Sequence, residues 1–198
     1  MKKILVFGLL ALGLAYGVYA FFFQNKGEIH VLVFSKTEGF RHASIPAGKQ
    51  ALLKMGEEKG FTVDTTENSD VFTEDSLWKY NVIVFLNTTG DILNDAQQLE
   101  MNRWIQAGVG FVGIHAACDT EYDWPWYNQL LGAWFQSHPT DPNVRKAEIE
   151  VVVEDHISTK HLAKRWTHTD EWYNFKSIQP HINVLLNLDE SSYEGGTN

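Results

Sequence analysis

A single cysteine, Cys118, leaves the chain without an internal disulfide, so its fold rests on packing in any redox compartment. Basic residues are also short: 16 Lys and Arg stand against 25 Asp and Glu, for a formal charge of −9. No basic patch is present, which excludes nucleic acid as a partner and disfavours an anionic lipid surface. Repeats and low-complexity tracts are absent, as are zinc-finger spacing and the HExxH pattern. Aromatic residues, by contrast, make up 13% of the sequence and include seven Trp, which calls for a large core or a stacking surface. At 198 residues the chain suits one domain of ordinary size.

The N-terminus stands apart. Lys2 and Lys3 precede an unbroken apolar run, "ILVFGLLALGLAYGVYAFFF", from Ile4 to Phe23. It matches the ~20 residues that cross a bilayer as a helix and exceeds the ~7–15 of a signal-peptide core. The expected organisation is a signal-anchor over residues 1–24, a linker over 25–28 and a globular domain over 29–198. Val18 and Ala20 form a crude cleavage site, so a cleaved signal peptide with secretion is the alternative. The two lysines should stay in the cytoplasm, placing the domain outside it, with the membrane met only through this helix.

Beyond the linker, apolar runs alternate with helical patterns. "IHVLVF" (29–34), "FTVDTT", a run from Asn81 to Leu86 and "GFVGI" read as strands. Ser44 and Pro46 open a helix that runs to about Lys59 and stops at Gly60. Asn94 caps a second helix that runs to Gly108. This alternation predicts a parallel sheet covered on both faces, with ligands bound beyond the carboxyl ends of the strands. Ser35–Ser44, Asn87–Asp91 and His115–Trp126 should line one crevice there. After Pro142 come "AEIEVVVEDH" as a strand, a short helical piece around His161–Trp166, "TDEWYNF", and "INVLLNLD" as the last strand. No helix follows that strand, so the domain is expected to lack a C-terminal piece.

Four stretches, "EGFRHASI", "GFVGIHAACDTEYDWPWYNQLLGAWFQSHP", "DEWYNF" and "LDESSYEGG", resemble the ThuA-like (trehalose-utilisation) family over Ile29 to Gly196. The resemblance implies a three-layer α/β/α sandwich with a mostly parallel sheet, flavodoxin-like and related to the class I glutamine amidotransferase fold. It further implies work on a glucoside or disaccharide, in oxidised (keto) form, with a sugar dehydrogenase acting upstream.

The reactive position of amidotransferases is a cysteine at a sharp strand-to-helix turn. Here His115, in "GIHAA", stands where those enzymes carry "GxCxG", and glutamine amidotransferase chemistry is not expected. Cys118 lies about one helical turn further on, where it reads as a small buried hydrophobe. Three histidines can reach the carboxyl end of the sheet: His42, His115 and His138. With Glu171 or Asp170 they resemble the nitrogen-and-oxygen shell of a divalent metal ion such as zinc, although three hydrogen-bonded histidines in a polar crevice remain the plain alternative. Asp119 is a candidate acceptor behind an imidazole, or an orienting acid.

A metal there would polarise a keto-sugar carbonyl or activate water, with His115 or Glu171 as base in a lyase or hydrolase reaction. Arg41, Glu121 and Asp170 are candidate partners for substrate hydroxyls or acidic groups, and Trp124 and Trp126 for the sugar face. Tyr127, Leu130, Leu131 and Trp134 have helical spacing and are assigned to packing. Two alternatives stay open: a non-catalytic sugar-binding module, and an amidase using Cys118.

Overall fold

The computed structural model describes residues 27–195. The apolar run Ile4–Phe23 lies outside the described residues, and no helix within them is long and apolar enough to cross a membrane.

Four strands form a parallel sheet: β1 (His30–Phe34), β2 (Thr62–Thr66), β3 (Val82–Leu86) and β4 (Gly110–Ile114), in the order β2-β1-β3-β4. Between them lie α1 (Ile45–Lys59), the single-turn α2 (Glu74–Leu77) and α3 (Asp95–Gln106), and α4 (Pro125–Leu131) follows β4. The strands are apolar at successive positions because both faces are covered. Leu32, Phe34, Ile83 and Phe85 point to one face and pack with Leu77 of α2, Met101 of α3 and Tyr127 of α4. Val31, Val33, Val84 and Leu86 point to the other, where Leu52 of α1 and Phe61 join them. Phe34 and Phe85 are fully buried with ring centroids 5.4 Å apart. Truncating either to alanine is expected to cost roughly 3–5 kcal/mol.

Local signals end the helices as the sequence suggests, with one exception. Asn94 accepts from Gln97 N–H while the Gln97 side chain accepts from Asn94 N–H, closing a capping box. Gly60 takes the left-handed conformation (φ 77°) that ends α1. Ser44 does not cap α1: it is itself helical, and its hydroxyl accepts a hydrogen bond from Asn87 instead.

The second half of the chain is antiparallel. β5 (Trp134–Ser137) pairs with β8 (Asn174–Lys176), and β6 (Val144–Val151) lies between β7 (Arg165–Glu171) and β9 (Leu186–Asp189). The helical piece expected around His161–Trp166 is absent. Arg165 and Trp166 already belong to β7, opposite Glu150 and Ile149. β4, the strand that leads into His115, is an edge of the parallel sheet among the described residues.

The three loops at the carboxyl ends of β1, β3 and β4 are hydrogen-bonded side by side. Glu38 N–H donates to Thr89 O (2.8 Å), Gly90 N–H to Asp119 O (2.8 Å) and Glu121 N–H to Gly90 O (3.1 Å). A Cβ on Gly90 would sit 3.1 Å from Glu38, and its φ is 79°. Only glycine allows that approach without strain.

Candidate functional site

Beyond the last residue of β4 the backbone turns sharply. His115 has φ 49°, a left-handed conformation that costs a non-glycine residue about 1–3 kcal/mol and clusters at functional sites. A short 3-10 turn, His115–Asp119, replaces the α-helix expected at this elbow. Its base is fixed from beneath. Tyr127 donates to Ala117 O (2.7 Å), and the Cys118 thiol to His115 O (3.2 Å). Cys118 is buried, and burial pushes its thiol up to about 12, so it carries no thiolate at neutral pH.

The strained imidazole meets two other groups. His115 Nε2 lies 3.2 Å from His42 Nε2 and 3.2 Å from Glu171 Oε2, and His42 Nε2 lies 3.6 Å from the same oxygen. His42 comes from the β1–α1 loop, and Glu171 ends β7. Tyr173, just beyond, stacks on the His115 ring at 4.3 Å and brings its hydroxyl to 3.3 Å from His42 Nε2.

The second oxygen of Glu171 faces a different pair. Asn143 Nδ2 donates to Oε1 at 2.8 Å, and His138 Nε2 stands 3.6 Å away. His138 Nδ1 lies 2.8 Å from Pro139 O. Because a carbonyl only accepts, Nδ1 carries a hydrogen and a neutral His138 keeps its lone pair on Nε2.

Two members of the cluster, Glu171 and His115, are shifted in the direction that suits ligation. Burial alone would raise the Glu171 carboxyl, but the Asn143 hydrogen bond, the His138 and His115 imidazoles and the Tyr173 hydroxyl together hold it below the usual range. Burial, and then the neighbouring His42, depress His115 and favour its neutral form. Burial first, and the Glu171 charge second, raise Tyr173, which stays a phenol.

The donor set fits a tetrahedral cation. Ligand bonds of about 2.0–2.2 Å place neighbouring donor atoms roughly 3.3–3.6 Å apart, and the three edges here are 3.2, 3.2 and 3.6 Å. One feature departs from the usual pattern. His42 Nδ1 is buried with no protein partner among the described residues, whereas ligating histidines ordinarily donate that hydrogen to an acceptor. His138 lies outside the three-atom cluster and touches it only through Glu171.

His115 and Glu171 line a cleft of about 710 Å³, together with Asp170, Trp172 and Tyr173. Of the other sequence candidates Asp170 and Cys118 line it, and the Asp170 carboxylate also accepts from Glu171 N–H (2.9 Å). The rest are engaged elsewhere. Asp119 accepts from the Tyr122 hydroxyl (2.6 Å), not from a histidine. Arg41 is held by both oxygens of Glu67 (2.9 Å each), which Lys49 also reaches, and these partners lower Glu67 to about 2.

Glu121 is only 2% exposed and accepts from Ile92 N–H, Leu93 N–H and Gln98. It braces a loop and cannot meet a substrate. Trp124 and Trp126 pack together at 4.9 Å against the core, so the aromatic wall of the cleft is Trp172, Tyr173 and Phe175 instead. Tyr173 and Asn143 were not singled out as site residues. Tyr173 was legible as part of "DEWYNF". Asn143 was not, because its reach depends on the β6–β7 register that sets the next residue, Val144, opposite Glu171.

Comparison with known proteins agrees with this architecture. A ThuA-like protein from Bacteroides uniformis ATCC 8492 superposes with a TM-score of 0.71 at 25% identity, over 87% of this chain and 73% of its own. A second, from Parabacteroides merdae ATCC 43184, gives 0.66 at 18% identity over 84% and 71%, which speaks for the fold alone. No curated protein matches the chain at a significant level. The model of the family "ThuA: Trehalose utilisation" matches residues 30–198. With nearly the whole described domain inside that match, the chain belongs to the ThuA family.

Proposed function

We propose that this chain is a carbohydrate-processing enzyme that cleaves a keto-glycoside by metal-assisted elimination at the His42–His115–Glu171 cluster. The observation that carries the reading is the triangle of donor atoms at the edge of a ligand-sized cleft. Membership in a family described as trehalose utilisation supports a sugar substrate. A divalent cation held by those three residues would act as a Lewis acid toward a carbonyl oxygen.

A 3-keto sugar acidifies the C–H at its neighbouring C2. A base takes that proton, the C–H electrons form the enolate, and the C1–O bond breaks with its electrons on the departing oxygen. That oxygen takes a proton and leaves as an alcohol. With His42, His115 and Glu171 engaged as ligands, His138 is the base of choice. The hydrogen on its Nδ1 is held by Pro139 O, which leaves Nε2 to accept. Tyr173, a phenol whose hydroxyl lies 3.3 Å from His42 Nε2, supplies the proton to the departing oxygen. Asp170 and Trp172 hold the sugar from the cleft side.

The test has two arms. Zinc titrated into the metal-free protein should bind one equivalent, and His42→Ala, His115→Ala and Glu171→Gln should each abolish that binding. Aglycone release from 3-keto-glucosides, followed by chromatography, should depend on the cation. Zinc binding with no release of any aglycone would favour a sugar-binding module.

A further inference from the structure

The stretch "LDESSYEGG" supplies no ligand to the cluster, yet its path is tightly fixed. The Asp189 carboxylate accepts from Ser191 N–H (3.0 Å) and from the Ser191 hydroxyl (2.6 Å), which bends the chain at the end of β9. The Ser192 hydroxyl accepts from Glu148 N–H (2.8 Å) and ties that bend to β6. Gly195 then lands on Pro139, the residue after His138. A Cβ at Gly195 would meet Pro139 Cγ at 2.9 Å and Cβ at 3.1 Å, well inside the ~3.5–4.0 Å at which carbon atoms pack. Its φ of 103° is also one that glycine alone holds without strain.

Pro139 is buried and held from two sides. Asn174 Nδ2 donates to both Gly195 O and Ser137 Oγ, at 3.2 Å each. Beyond Pro139, Arg145 donates to Thr140 O (3.3 Å) and Pro142 O (3.0 Å). The carbonyl between these anchors is the one that lies 2.8 Å from His138 Nδ1. A neutral imidazole has one ring hydrogen, which either nitrogen can carry. Pro139 O keeps it on Nδ1 and leaves the lone pair on Nε2, 3.6 Å from Glu171 Oε1. We infer that Gly195 is a positioning residue for His138. Its bare Cα lets the chain close on Pro139, and the seated Pro139 carbonyl sets the tautomer that leaves Nε2 basic. The inference rests on the role of base given to His138 above and adds the residue that sustains it.

Gly195→Ala tests this, with Gly108→Ala as its control. Gly195 is exposed, so the substitution spares the core. Gly108 has nearly the same φ, 102°, but open space where a Cβ would stand, so it carries the strain without the contact. In the full chain with isotope-labelled histidine, at alkaline pH and without added metal, nitrogen NMR should show hydrogen on His138 Nδ1 alone. His138→Gln assigns the signal. Gly195→Ala should mix the two tautomers, and Gly108→Ala should not. With a 3-keto-glucoside, Gly195→Ala should lower kcat about 10–100-fold and leave KM unchanged. Zinc affinity should stay the same, because His138 is not among the ligands.

A native tautomer in Gly195→Ala, or equal effects from Gly108→Ala, would overturn the inference and leave the elimination standing. Loss of zinc binding in Gly195→Ala would also overturn it, by showing that the segment supports the whole cluster. A mixed tautomer in Gly195→Ala, with no aglycone released even by the native chain, would remove the reaction and keep Gly195 as the residue that seats His138.

Discussion

Glu171 Oε2 lies 3.2 Å from His115 Nε2, joining residues 56 positions apart, one at the end of a parallel strand and one at the end of an antiparallel strand. The metal reading depends on this junction of the two sheets, because the loops beyond β1 and β4 supply His42 and His115 while β7 supplies Glu171.

Replacing His115 tests both ligation and strain. His115→Ala should weaken zinc binding by more than the 10–100-fold typical of losing an outer-shell partner, and should abolish turnover with the fold retained. His115→Gly should lose zinc equally but be more stable than the alanine variant by about 1 kcal/mol, since glycine accepts φ 49° without penalty. Chemical denaturation of the two metal-free variants measures the difference. Equal stabilities would remove the case for a strained elbow.

Asn143→Ala removes the hydrogen bond that helps hold Glu171 ionised. The Glu171 carboxyl should rise toward its ordinary range, so protons compete with the cation at higher pH. Zinc affinity is expected to fall about 10–100-fold near neutrality, and the acid limb of the binding profile should move to higher pH. A profile that weakens without moving would mean that Asn143 serves packing only.

Acid should destabilise the metal-free protein in two stages. His115 titrates lower in the folded state than unfolded, so its contribution is full above about pH 6.5 and is lost as pH falls through its folded value. Glu171 is also depressed, and its contribution is full above about pH 4.3 and lost further down. Thermal unfolding in chelator should show the first loss in the native chain and not in His115→Ala.

Glu121→Ala leaves two buried N–H groups, those of Ile92 and Leu93, without their acceptor. The cost should be roughly 2–6 kcal/mol, at about 1–3 per unsatisfied group. Zinc affinity should be unchanged in the folded fraction, because no ligand touches Glu121. A selective loss of sugar binding at unchanged stability would restore it as a substrate contact.

Trp124→Ala should behave as a core truncation, losing about 3–5 kcal/mol, whereas Trp172→Ala should raise the KM for sugar with a smaller loss of stability. The opposite pattern would return Trp124 to the cleft.

What the sequence determined by itself was local. Doubly apolar runs such as "VLVF" and "VIVFL" specify strands buried on both faces, and the Asn94–Gln97 pair and Gly60 mark helix ends within a few residues of themselves. His115 was legible as an elbow because a strand signal stops there, and His42 because another strand ends just before it. Which polar side chains face the ligand was decided only in three dimensions. Glu121 turns inward because two backbone N–H groups some 30 residues away need an acceptor, and Trp124 does so because α4 packs on the β4 side of the core. Asn143 and Glu171 meet through strand register. Such choices depend on pairings between distant segments, whose free energies appear only when the chain has closed on itself, so no short window of sequence contains them.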